Sequence, residues 1–135
     1  VSVPVIILNF SHPLTPAQAA QIVALAGEPI SQTVEVAATF DAQTPYGDQL
    51  AALLDHIALT PAQWQSGELL LVLPSLNTIA ALVLAAVHGR SGGFPPVVRL
   101  RPAPGSVLRR YEVAELLDLQ RVREAMRVRN SQPTD

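Results

Sequence analysis

The stretch Val5-Ile6-Ile7-Leu8-Asn9-Phe10-Ser11-His12-Pro13-Leu14-Thr15-Pro16-Ala17-Gln18 passes from continuous hydrophobes, through a polar turn, into a helix start. Val5 to Leu8 shows no alternation, so it reads as the heart of a strand, Val3 to Leu8, buried on both faces. Thr15 supplies a capping hydroxyl, Pro16 a pre-set first helical residue, and Gln18 a reciprocal amide three residues after the cap. A doubly buried strand followed at once by a capped helix is the opening half of a β-α-β unit, and it predicts a parallel sheet.

The rest of the chain follows the same alternation. Leu69 to Leu73 (LLLVL) reads as a second continuous, buried strand. Thr33 to Phe40 alternates, with Val34, Val36, Ala38 and Phe40 on one face, as expected nearer an edge. Val97 to Arg101 also alternates, and Arg109 to Val113 is read as a fifth strand. Leu50, Leu53, Leu54 and Ile57 form a helical stripe facing a sheet. The TPAQ of the first helix recurs at Thr60 to Gln63, ahead of Trp64, as capping chemistry used twice. Leu76 to His88 is apolar all round and requires burial in the core or against another subunit. Asp118 can cap a last helix carrying Leu119, Val122 and Met126, with Arg121, Arg123, Arg127 and Arg129 solvated beside them.

The link from Pro102 to Ser106 is too short for a crossover, so strands four and five form an antiparallel hairpin. Residues 1–129 are therefore expected to be one Rossmann-like α/β domain. It has a mostly parallel sheet of about five strands, a C-terminal antiparallel hairpin and helices on both faces, with a flexible tail over 130–135. With the two most apolar strands central, the spatial order is 2-1-3-4-5. The switch point lies between strands one and three, where ligands bind outside the carboxyl ends. Asn9 to Pro13, Asp41 to Gly47, Pro74 to Thr78 and the Arg101 to Arg110 turn converge on that edge.

Composition narrows the chemistry. The chain has 135 residues and no cysteine, which removes disulfides and thiolate chemistry. His12, His56 and His88 form no metal-ligand spacing, so neither a metal site nor a cofactor is expected. Neither G-x-G-x-x-G after the first strand nor a Walker-type loop is present. The opening run is too short and poorly flanked for a signal peptide. The longest apolar run, Ile79 to Val87, falls far short of the roughly 20 residues that span a bilayer. A soluble cytoplasmic protein without membrane association is the expectation.

Charge is segregated. All nine basic residues are arginines between Arg90 and Arg129, while residues 1–89 carry six acids and no base. The two parts are thus −6 and +4, within a net charge of −2. Arginine favours bidentate contacts to phosphate or carboxylate, although a codon bias toward arginine gives the same composition. Long nucleic acid asks for a stronger positive balance; a small anion suits this one better. Ser75, Asn77 and Thr78 stand where a helix N-terminus favours anions, though capping alone also explains such residues. Gly89, Gly92, Gly93, His88, Arg90 and His56 are assigned to structure.

NFSHPLTP after the first strand, LPSLN after the third, HGRSGGFPPVVRLRPAPGS and YEVAELLDLQ, in that order, carry a family resemblance. The chain resembles, from Ile6 to about Arg123, the small stand-alone CRISPR-associated proteins of the Csx series, in particular its fifteenth member. Such proteins accompany type III CRISPR systems and are similar to CARF domains, Rossmann-like dimers that bind cyclic oligoadenylate messengers. The resemblance implies a CARF-like homodimer, with possible higher assembly on ligand, that holds a cyclic oligoadenylate, first of all cyclic tetra-adenylate. Asn9, Phe10, Ser11 and His12 would contact it from the first strand end, and Ser75, Leu76, Asn77 and Thr78 from the third. Arg101, Arg109 and Arg110 are added from charge. Sequestration of the messenger, a sponge, is the favoured reading, since no second acid or base stands beside His12. A metal-independent ring nuclease with His12 in proton transfer is the alternative. A structural dimerisation module without nucleotide is the third.

Overall fold

A computed structural model describes residues 3–131. Strands β1 (Val5–Asn9), β2 (Ile30–Glu35), β3 (Leu69–Val72), β4 (Val97–Pro102) and β5 (Tyr111–Leu117) form one sheet in the order β2-β1-β3-β4-β5. All pairings are parallel except β4 with β5. The helices are α1 (Pro16–Ala26), α2 (Tyr46–Asp55), the single turn α3 (Pro61–Trp64), α4 (Asn77–Ser91) and α5 (Leu119–Ser131). The fold is thus α/β and Rossmann-like, with the expected strand order. The expected tail starts too early, because α5 continues through Ser131; residues 132–135 lie outside the described part.

The continuous hydrophobes of β1 and β3 are explained by helices on both sheet faces. Ile6, Leu8 and Phe10 join Leu69, Leu71 and Val97 beneath α2, α3 and α4. Ile7 joins Leu70, Val72, Val98 and Val113 beneath Ile22 of α1. Ile7, Leu8 and Leu71 are wholly buried, each side chain contributing about 1.5–3 kcal/mol by leaving water.

The first strand runs Val5–Asn9 rather than Val3 to Leu8 and the third ends at Val72, and three further differences from the sequence reading have a physical reason. The second strand is Ile30–Glu35 rather than Thr33 to Phe40. It pairs only with β1, whose last residue, Asn9, lies opposite Glu35, so the ladder stops one bond later at Val36 N–H to the Asn9 carbonyl (2.8 Å). The alternation continues without a ladder, because Val36, Ala38 and Phe40 still turn inward, and Phe40 meets Tyr46 edge-on at 5.1 Å. The fifth strand begins at Tyr111, leaving Arg109 and Arg110 in the turn. Its register is held by Arg99–Glu115 (2.7 Å) and Arg101–Glu112 (2.9 Å) across the hairpin, with a bulge between Arg99 and Leu100. Finally, α4 runs to Ser91 and buries Ile79, Val83 and Val87 in the core of its own protomer. Alanines 81 and 85 supply much of its outer face, which is why it looked apolar all round.

Both TPAQ segments form complete capping boxes. Gln18 N–H reaches Thr15 Oγ1 at 3.1 Å, and Gln63 N–H reaches Thr60 Oγ1 at 3.1 Å. Only the first has a tertiary role. Gln18 Nε2 donates to the Tyr111 carbonyl (2.9 Å), and Gln21 Oε1 accepts from Val113 N–H (2.8 Å), so α1 covers the open edge of β5. Thr15→Ala and Thr60→Ala should each cost about 1 kcal/mol in chemical denaturation. Thr15→Ala should also speed amide exchange in β5, which Thr60→Ala should leave alone; equal exchange in both variants would contradict the bridge.

Residues assigned to structure are placed accordingly. Arg90 bonds Asp55 at 2.5 Å and lies 5.4 Å over the Trp64 ring. His88 packs edge-on to Phe94 at 4.4 Å, and His56 ends α2 with Nδ1 2.6 Å from the Ala52 carbonyl. Among the described residues no helix is long and apolar enough to cross a membrane.

Candidate functional site

β1 leaves the sheet between β2 and β3, and the chain must turn there because its ladder partners end. Asn9 makes that turn. It is fully buried; its Nδ2 donates to the His12 carbonyl (2.9 Å) and to Glu35 Oε2 (3.0 Å), and its Oδ1 accepts from Ser11 N–H (3.0 Å). Every polar atom of the amide is occupied, so Asn9 sits beneath the loop and shapes it. Phe10 is also buried, with its ring in the α2–α4 core. Ser11 and His12 are left on top, and the His12 ring has no hydrogen-bond partner among the described residues.

Two hollows flank this ridge, and Ser11 and His12 line both. The smaller, about 220 Å³, lies on the switch-point side against Ala38, Thr39, Ser75, Leu76 and Ile79. Its far wall is the amino end of α4. Leu76 occupies the cap position there, 62 % exposed, and no side chain caps the helix. The serine, asparagine and threonine at 75, 77 and 78 therefore do not cap it, and among the described residues no side chain accepts from the first-turn N–H groups. Asn77 and Thr78 are exposed at this end.

The larger hollow, about 520 Å³, lies between the same ridge and the hairpin. Leu14, Leu100 and Tyr111 give it apolar walls, and Arg109 and Arg110 line its rim. The capping amide of Gln18, tied to Tyr111, holds the two sides together. Arg109 and Arg110 form no ion pair among the described residues, whereas Arg101 is held by Glu112 and lines neither hollow. The turn itself reverses at Gly105, whose φ of 75° suits glycine, and Val107 and Leu108 stand exposed at its tip.

Of the residues expected at the site, Asn77 and Thr78 line neither hollow, while Phe10, Ser11, His12, Ser75 and Leu76 line one hollow and Arg109 and Arg110 lie across the ridge. Asp41 to Gly47 does not join them. Gln49 clasps that segment, accepting from Asp41 N–H (2.8 Å) and donating to Thr44 Oγ1 (2.7 Å). Ala38 and Thr39 take its place at the site; their small size and position beyond the end of β2 were the available signals. A third hollow, about 110 Å³ between Trp64, Phe94 and Pro95, lies at the opposite sheet edge and carries no charged group. Among the described residues no group of three or more histidine, aspartate or glutamate side chains is placed to hold a metal ion. The chain matches no family model, no curated protein and no solved structure.

Proposed function

We propose that this chain binds a cyclic oligoadenylate, cyclic tetra-adenylate first, and sequesters it, damping type III CRISPR signalling in the cytoplasm. One observation carries the reading: a helix N-terminus without a side-chain cap and two arginines without an ion pair among the described residues line hollows on either side of the Ser11–His12 ridge, at the switch point of the sheet. N–H groups at a helix start and guanidinium forks both hold phosphate oxygens. The apolar walls beside the arginines suit an adenine base. One protomer offers hollows for part of a cyclic tetranucleotide, so the ring spans two copies, with Val107 and Leu108 at the rim to meet the partner.

Holding is favoured over cutting because ring opening needs proton transfer at a ribose hydroxyl and at its leaving oxygen. No acid or base orients His12 among the described residues. The test is incubation of excess protein with a panel of cyclic adenylates in chelator, followed by mass spectrometry of the bound and released nucleotide. Retention of intact cyclic tetra-adenylate is the expected result. Linear products lost in His12→Ala would establish the nuclease instead. Retention of no ring, with a dimer still present, would leave the dimerisation module. Ser11→Ala and Asn77→Ala should each weaken binding by roughly 3–10-fold, the value of a neutral hydrogen bond. Unchanged affinity in both would move the site elsewhere.

A further inference from the structure

Among the described residues, helix α5 packs on its own protomer only through its first residue, Leu119. Leu119 tucks against the α2–α4 core, and every residue from Gln120 to Ser131 is exposed. Val122 and Met126, one turn apart and 52 % and 51 % exposed, continue the stripe that Leu119 begins. An isolated helix of this length is marginal in water, so its stability calls for cover on that stripe. Four arginines against Glu124 give it a charge of +3.

The complementary surface lies elsewhere on the same molecule. At the sheet edge opposite the candidate site, on the α1 face, Val5, Leu70 and Leu116 floor a groove of about 370 Å³. Glu28, Glu68 and Asp118 line its rim, and no basic residue does. The protomer's own α5 leaves from Asp118 with Leu119 anchored on the other face, away from this floor.

We propose that α5 of one copy lies in this groove on a second copy. Val122 and Met126 cover the apolar floor, while Arg123, Arg127 and Arg129 face the carboxylates of Glu28 and Glu68. Reciprocal exchange would bury two stripes and two grooves, and it requires no nucleotide. This pairing uses the amino edge of the sheet and is independent of any ring held at the carboxyl edge.

Sedimentation of the full, nucleotide-free chain over about 1–200 µM tests the pairing. The expected mass rises toward twice the 14.4 kDa of one chain, and the rise weakens with added salt. Val122→Asp with Met126→Asp should raise the dissociation constant at least about thirtyfold. Arg123→Glu with Arg127→Glu should do the same, and adding Glu28→Arg with Glu68→Arg should restore association. These α5 positions touch no core, so melting curves of the two helix variants at protomer concentration should match the parent. A parent that stays at the mass of one chain, helix variants that associate unchanged, or a charge swap that restores nothing would each overturn the pairing. A single-chain mass together with α5-dependent binding to anionic vesicles would assign the helix to a lipid surface instead.

Discussion

Asn9→Asp is expected to lower the unfolding free energy by about 3–5 kcal/mol at neutral pH, read as a lower denaturant midpoint with an unchanged slope. The native amide donates twice, to the His12 carbonyl and to Glu35, and accepts once, from Ser11 N–H. Aspartate can still accept from Ser11, but it loses both donors and places a buried carboxylate 3.0 Å from the position Glu35 already holds. Desolvation and like-charge repulsion then act together. Asn9→Ala removes the same bonds without adding charge and should cost about 2 kcal/mol. The ordering of the two variants is the diagnostic point. An aspartate variant within 1 kcal/mol of the parent, about the worth of a single neutral hydrogen bond, would mean that the turn does not depend on this amide.

The second large effect belongs to the hairpin. Arg109→Ala with Arg110→Ala should weaken the proposed binding of cyclic tetra-adenylate about 100-fold or more, as expected for losing two charge-assisted contacts to phosphate. The salt dependence of the remaining affinity should flatten as well. Among the described residues neither arginine is paired, and both are exposed, so the melting temperature should stay put. Arg101→Ala is the matched control. Its guanidinium is held by Glu112 across the strands, so the change should cost up to about 1 kcal/mol of stability and little affinity. Full affinity in the double variant, measured beside a parent that binds, would remove the hairpin from the site.

Much of this architecture was legible because the deciding residues act locally. Continuous hydrophobes announced β1 and β3, and TPAQ announced two helix starts with their capping atoms. The break at Pro102 to Ser106 announced the hairpin. The order of strands followed from which runs were most apolar. What stayed hidden depended on partners distant in sequence. The end of β2 is set by where β1 stops, which the alternating Val36, Ala38 and Phe40 could not reveal. Gln18 and Gln21 read as ordinary helix residues, yet they bind the edge of β5, 93 and 92 positions further along the chain. At the site, position was legible and role was not. Asn9 looked like a contact because asparagine in a loop is usually exposed, but its burial makes it the support for Ser11 and His12. Arg101 and Arg109 were equivalent in composition; the facing Glu112 and a place in β4 rather than in the turn separate them.

The central pairing of the sheet sets a clock on how the chain is made. Ile6 lies beside Leu69 and Asn9 beside Val72, so β1 cannot be enclosed until β3 exists. A ribosome adding roughly 5–20 residues per second reaches β3 about 3–12 s after β1. During that wait β2 can pair with one side of β1, but the other side of an uncharged Val-Ile-Ile-Leu strand stays open. An open apolar strand edge is where nascent chains join one another. The vulnerable period of this protein therefore falls during its synthesis, and slowing translation between residues 35 and 69 should increase aggregation without altering the finished fold.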